Sequence, residues 1–187
     1  MTTSRSDALV VFGATGDLAH KMIFPALFAM AKRGSLTVPI VGVALPKWSV
    51  ADLRRRVVDS INLSGGVDDR PALDRLLSLF NYVSGDCEDP DTFTVIKKAL
   101  GTVRRPAHYL AISPSLFETV IEGLGASKLA EHARVIVEKP FGRDLSSARK
   151  LNRAAQRIAW AGRELFANGI VNLKVRAVYA RRAASNS

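Results

Sequence analysis

The chain has 187 residues, 48% of them hydrophobic, and a formal net charge of +10. A chain of this length buries a full core without disulfide staples. Its single cysteine, Cys87, excludes an intramolecular disulfide framework and fits a reducing, cytoplasmic compartment. No run of about 18 apolar residues is present, and the polar segment from Met1 to Asp7 does not read as a secretory leader, so no membrane partner is expected. The positive balance favours anionic partners. Half of it comes from residues 156–187, where Arg157, Arg163, Lys174, Arg176, Arg181 and Arg182 stand against Glu164.

Ala8 to Phe12 is a continuous apolar run, the pattern of a buried parallel strand. It leads into Gly13, Ala14, Thr15, Gly16, Asp17 and Leu18, a two-glycine turn that opens a helix. Gly13 suits the tight turn, Gly16 allows a pyrophosphate close to the backbone, and the small Ala19 lets the helix sit against the strand. The first-turn amides of that helix form an anion site. The spelling is G-x-x-G-x-x-A, and a ligand-free βα turn reads the same way. Asp17 to Arg33 has helical spacing, with Pro25 expected to kink or restart the helix and Gly34 to end it.

Val38 to Leu45 is the second apolar strand. No carboxylate follows it, as one would for the ribose diol of NAD; the chain reads Ala44, Leu45, Pro46, Lys47, Trp48. Lys47 is either a partner for the 2′-phosphate of NADP or a solvated loop lysine. Ser49 caps a helix over Val50 to Ile61, whose Arg54-Arg55-Arg56 run reads as a solvated face. A further helix covers Pro71 to Leu79.

Asn81 to Cys87 reads as the third strand, placing Asp86 and Cys87 at its end. Asp86 either borders an adenine pocket or caps the next turn. A helix over Pro90 to Leu100, a strand over Ala107 to Ile112, and a helix from Pro114 to about Leu124 capped by Ser113 follow. Arg134 to Val137 is the fifth strand. It leads to Lys139, and Asp144 caps a helix to about Arg153.

The β-α alternation predicts an α/β fold: a Rossmann-like doubly wound parallel sheet with helices on both faces. Gly13–Gly16, Lys47, Asp86, Ser113–Pro114 and Lys139 all fall at strand carboxyl ends, where such sheets bind ligands. Aromatics are sparse in the basic 156–187 segment, and no nucleic-acid motif accompanies it, so nucleic acid is not an expected partner.

Four strings occur in order: VVFGATGDLAHKMIFPAL (10–27), IVGVA (40–44), HYLAISPSLFETV (108–120) and RVIVEKPFGRDL (134–145). Together they resemble the coenzyme domain of glucose-6-phosphate dehydrogenase over roughly residues 8–155. The resemblance implies NADP-dependent oxidation of glucose 6-phosphate to the lactone in the pentose phosphate pathway. It implies that Gly13, Ala14, Thr15, Gly16, Asp17 and Leu18 line the coenzyme pyrophosphate and ribose. It also implies that Lys139 lies between coenzyme and sugar phosphate, aimed by a cis Pro140, with Phe117 beside the coenzyme. Members of the family oligomerise.

Three departures accompany it. Leu45 stands where relatives carry an arginine for the 2′-phosphate, and Met22 stands where they carry a cation, which leaves NAD open beside NADP. After about residue 155 the family's next string and its general-base histidine are not found. The expectation is therefore a coenzyme domain over 1–155 and a non-homologous basic segment over 156–187, of the kind a frameshift produces. No catalytic residue and no metal ligand is assigned, and turnover by this chain alone is not expected. The alternative is a standalone nucleotide-binding module without catalysis.

Overall fold

The computed structural model of the chain describes residues 5–137. Lys139, Pro140, the Asp144 helix and the 156–187 segment lie outside the described residues.

Five strands, β1 (Ala8–Phe12), β2 (Ile40–Ala44), β3 (Phe80–Ser84), β4 (Pro106–Leu110) and β5 (Arg134–Val137), form one sheet in the order β3-β2-β1-β4-β5. Every neighbouring pair is parallel. Between them run α1 (Phe24–Lys32), α2 (Val50–Leu63), α3 (Arg70–Ser78), α4 (Pro90–Leu100) and α5 (Phe117–Ala126).

Alternation along each strand feeds two cores. From β1, Ala8, Val10 and Phe12 face the core that holds Phe93 and Ile96 of α4 and Val120 and Leu124 of α5. Val11 faces the opposite core, with Phe24 and Leu27 of α1, Leu53 and Val57 of α2, and Leu73 of α3. Burial on both faces is why β1 and β2 read as unbroken apolar runs. The chain reverses its direction of travel across the sheet between β1 and β4, so the ligand crevice of a doubly wound fold opens at the carboxyl ends of these two strands.

Several expected elements are placed as read. α4 starts at Pro90 with the Asp89 side chain accepting from the Asp91 amide. Ser49 caps α2 in a reciprocal box with Asp52: the Ser49 amide donates to the Asp52 carboxylate and the Asp52 amide donates to Ser49 Oγ. Gly34, at φ +66°, follows α1 as its terminator.

Others differ. The third strand runs from Phe80 and ends at Ser84, and Gly85 after it packs against Thr92, whose Oγ1 would lie 2.4 Å from a Cβ there. Ser113 does not cap the helix after β4. Its hydroxyl meets that of Ser115 at 2.9 Å, and the first turn, Pro114–Leu116, is a 3-10 helix.

The expected single helix from Asp17 also divides. Ala19–Ile23 is a π segment, and α1 restarts at Phe24 with Pro25 in its first turn. The Phe24 amide donates to the Ala19 carbonyl, five residues back. In that register the His20 carbonyl awaits the amide of residue 25, which a proline lacks. Ser60 of α2, only 1% exposed, donates its hydroxyl to that carbonyl. An orphaned acceptor is thereby satisfied across the helix interface.

Candidate functional site: the carboxyl ends of the strands

The turn after β1 is held to its neighbours by backbone bonds. The amides of Gly13 and Ala14 both donate to the Val43 carbonyl, at 2.8 and 3.2 Å, and the Gly16 amide donates to the Gly13 carbonyl at 2.9 Å. Gly13 sits at φ +78°, and a Cβ there would lie 2.3 Å from the Ala111 carbonyl oxygen. Only glycine lets the end of β1 meet the end of β4 in this way. Ala14 and Ala19 are fully buried. Ala14 approaches Gly42 so closely that a Cβ on Gly42 would lie 3.0 Å from its methyl.

The His20 amide donates to the Gly16 carbonyl at 3.1 Å, which closes the first helical turn and makes Gly16 its cap. The amides of Asp17, Leu18 and Ala19 therefore have no intrahelical acceptor and point out of the helix end. With the Gly16 backbone bare, they form a cradle for a diphosphate. The residues present fit a dinucleotide here.

Asp17 is the one acidic group on this helix end. Its side chain is 78% exposed, with Lys21 Nζ at 3.0 Å and Arg56 Nη2 at 3.9 Å. Hydrogen bonding from Lys21, foremost, holds its carboxyl below the usual range.

The loop after β2 carries Lys47 at an exposed apex. Tyr82 of β3 fixes its root: the phenol donates to the Pro46 carbonyl at 2.6 Å and lies 3.2 Å from that of Ala44. Burial pushes the Tyr82 hydroxyl up in pKa, so it remains a donor. Ser84 Oγ reaches the Leu45 carbonyl at 3.4 Å, and the Trp48 ring lies 6.5 Å from that of Tyr82. Leu45 projects into solvent, 67% exposed. No carboxylate occupies residues 44–48.

The remaining candidates are placed differently. Asp86 is exposed, and its carboxylate accepts from the Glu88 amide at 2.9 Å in the turn after β3. Cys87 and Phe117, the latter the first residue of α5, both pack in the buried core that α4 and α5 cover. Burial pushes the Cys87 thiol up to about 11. Lys139 lies outside the described residues.

The Arg54–Arg56 run is not uniformly solvated. Arg55 is exposed, whereas Arg54 donates to the Phe80 carbonyl at 3.2 Å and Arg56 faces Asp17. Sequence reasoning missed Tyr82, Arg56 and Ser60 as supports of the site. The signal for the last two was their spacing of four on α2, which places both on the face toward the cradle helix.

Of the histidines, His108 on β4 is sealed in the core. Its Nε2 lies 2.9 Å from the Leu129 carbonyl, and its Nδ1 has no hydrogen-bond partner. Burial, foremost, lowers its pKa to about 4. Among the described residues no cluster of three or more His, Cys, Asp or Glu could hold a metal, and no helix is long and apolar enough to cross a membrane.

Comparison with known proteins agrees with this geometry. The family model described as glucose-6-phosphate dehydrogenase, NAD binding domain, matches residues 10–166, past the expected boundary at 155. Glucose-6-phosphate 1-dehydrogenase 1 of Mycobacterium tuberculosis is 43% identical over 147 residues, covering 79% of this chain and 31% of the relative. The Saccharomyces cerevisiae glucose-6-phosphate 1-dehydrogenase is 35% identical over 162 residues, covering 80% and 32%. The crystal structure of the Mycobacterium avium enzyme superposes with a TM-score of 0.77 at 42% identity, covering 82% of this chain and 34% of that one. A glucose-6-phosphate dehydrogenase in complex with glucose-6-phosphate superposes at 0.74 with 34% identity, covering 84% and 36%. The chain thus spans about a third of the length of these relatives. With the matched strand-turn-helix and sheet order, the chain belongs to the glucose-6-phosphate dehydrogenase NAD binding domain family.

Proposed function

We propose that this chain is the coenzyme-binding part of a glucose-6-phosphate dehydrogenase and that it takes NADP in preference to NAD. The observation that carries the reading is the Gly13–Leu18 turn: positive φ at Gly13, free first-turn amides, and placement at the β1/β4 crevice. The turn binds the pyrophosphate, and the loop after β2 receives the adenosine ribose. Lys47 supplies the charge for a 2′-phosphate, as a point charge without the fork of an arginine. The preference for NADP is accordingly modest.

A nicotinamide coenzyme held by this turn would supply the hydride acceptor for oxidation at C1 of glucose 6-phosphate. The part of residues 5–137 is to bind and orient it. Oxidation of a hydroxyl also needs a positioned base, typically worth 10² to 10⁴ in rate. Neither buried His108, nor His20 on the cradle helix, nor His132 in the exposed turn before β5 is proposed to supply one. Lys139 is proposed to contact the sugar phosphate. Coenzyme binding without sugar oxidation is the expected behaviour of the chain alone.

Calorimetric titration of the chain with NADP and NAD tests this. Saturable binding of both is expected, tighter for NADP by about threefold to fivefold, the scale of one exposed charge pair. Lys47→Ala is expected to erase the difference and leave NAD binding unchanged. Failure of both nucleotides to bind would contradict the reading, and a preference for NAD would contradict its NADP part.

A further inference from the structure

We infer that Arg56 of α2 is a positioning residue for the coenzyme pyrophosphate, acting through Asp17. The inference rests on the reading of Gly13–Leu18 as the dinucleotide cradle. Its starting point is an electrostatic conflict. The first residue of the cradle helix is an aspartate, and a carboxylate beside a bound diphosphate repels it. The same carboxylate also neutralises the positive helix end that the diphosphate needs.

Two cations face Asp17. Lys21 reaches it along the same helix at 3.0 Å, and Arg56 reaches it from α2 at 3.9 Å. Lys21 is a flexible surface group, 68% exposed. The Arg56 side chain is only 29% exposed, and its Nε is fully buried, so its stem is fixed in the helix interface. One turn further along α2, Ser60 is bonded to the His20 carbonyl. Arg56 and Ser60 thus meet residues 17 and 20 in register, and α2 docks the cradle helix through both. The buried Ser60 contact sets the depth of the helix. The Arg56 guanidinium, 3.9 Å from the Asp17 carboxylate, offsets its charge from the side of α2.

The consequence concerns the pyrophosphate, which NADP and NAD share. Arg56→Gln is therefore expected to raise the Kd of both nucleotides by the same factor, about fivefold at low salt, the scale of a helix-end charge. The factor should shrink toward one in about 0.5 M salt, where the Debye length falls to a few ångströms. Asp17→Asn in the Arg56→Gln background should restore most of the lost affinity, because the carboxylate to be neutralised is gone.

Calorimetric titration of the four chains (parent, Arg56→Gln, Asp17→Asn and the double variant) with NADP and NAD, beside thermal melts, decides it. A lowered Tm with unchanged Kd would make Arg56 merely structural and overturn the inference. A loss confined to NADP would place Arg56 on the 2′-phosphate and overturn it equally. Absence of binding by the parent chain would instead remove the cradle reading on which the inference stands.

Discussion

Gly13 joins the end of β1 to the end of β4 at a point where no side chain fits. Gly13→Ala would force a methyl to within 2.3 Å of the Ala111 carbonyl oxygen, at a φ of +78°. Both backbones are sheet-anchored, so neither yields cheaply. A loss of about 3 kcal/mol is expected in chemical denaturation, with dinucleotide affinity lost as well. Leu45 is the complementary case, where nothing obstructs change. Its side chain is 67% exposed beside Lys47, on a loop rooted by Tyr82. Leu45→Arg adds a fork that grips a phosphate through two donors. Selectivity for NADP over NAD is expected to rise by about tenfold or more, read by paired titrations.

At the scale of elements, the cradle helix shows what could and could not be read. The glycine spacing located the turn, and the small Ala19 located the close approach to the sheet. Pro25 announced a break but not its form. The π segment depends on Ser60, forty residues away in sequence, which satisfies the His20 carbonyl. No local pattern encodes that partnership. Ser60→Ala is expected to cost about 1–3 kcal/mol, the penalty for a buried acceptor left bare. In a Pro25→Ala background the chain regains an amide that can reach the same carbonyl, and the cost of Ser60→Ala should fall by about half or more. A double-mutant cycle in urea measures this. Additive losses would contradict the orphaned-carbonyl account.

The strand boundaries carry the same lesson. β5 and α4 were legible to the residue, because a continuous apolar run and a proline at the first helical turn are local signals. β3 runs from Phe80 to Ser84 and stops short of the expected Cys87, while Gly85 admits Thr92 of α4 at a distance no side chain would allow. The burial of Cys87 and Phe117 in the core of α4 and α5 depends on helix packing that no local pattern encodes.

For the whole molecule, the sheet with two faces buried was the most legible feature, since long apolar strands alternating with helices admit few topologies. Its hidden liability is His108, uncharged inside one of the two cores. The imidazole takes up a proton in the unfolded chain below its ordinary value of 6.5, but in the folded chain only near 4. The unfolded state binds more protons between those values, so stability is full above about pH 6.5 and falls as pH drops toward 4. The loss approaches about 3 kcal/mol. His108→Leu is expected to cost about 1 kcal/mol at pH 7, through its lost bond to Leu129, and to flatten the decline. Urea denaturation at pH 7 and pH 4.5 compares the two chains; equal slopes with pH would contradict the assignment.

A dinucleotide is expected to rest its pyrophosphate on the Gly13–Leu18 turn. Backbone amide mapping by NMR during titration with NADP tests it most directly. The largest shifts are expected at Gly16, Asp17 and Leu18, with a second group around Lys47 and Trp48 and little change at the amino ends of the strands. Saturation with those amides unmoved, or shifts confined to the basic 156–187 segment, would contradict it.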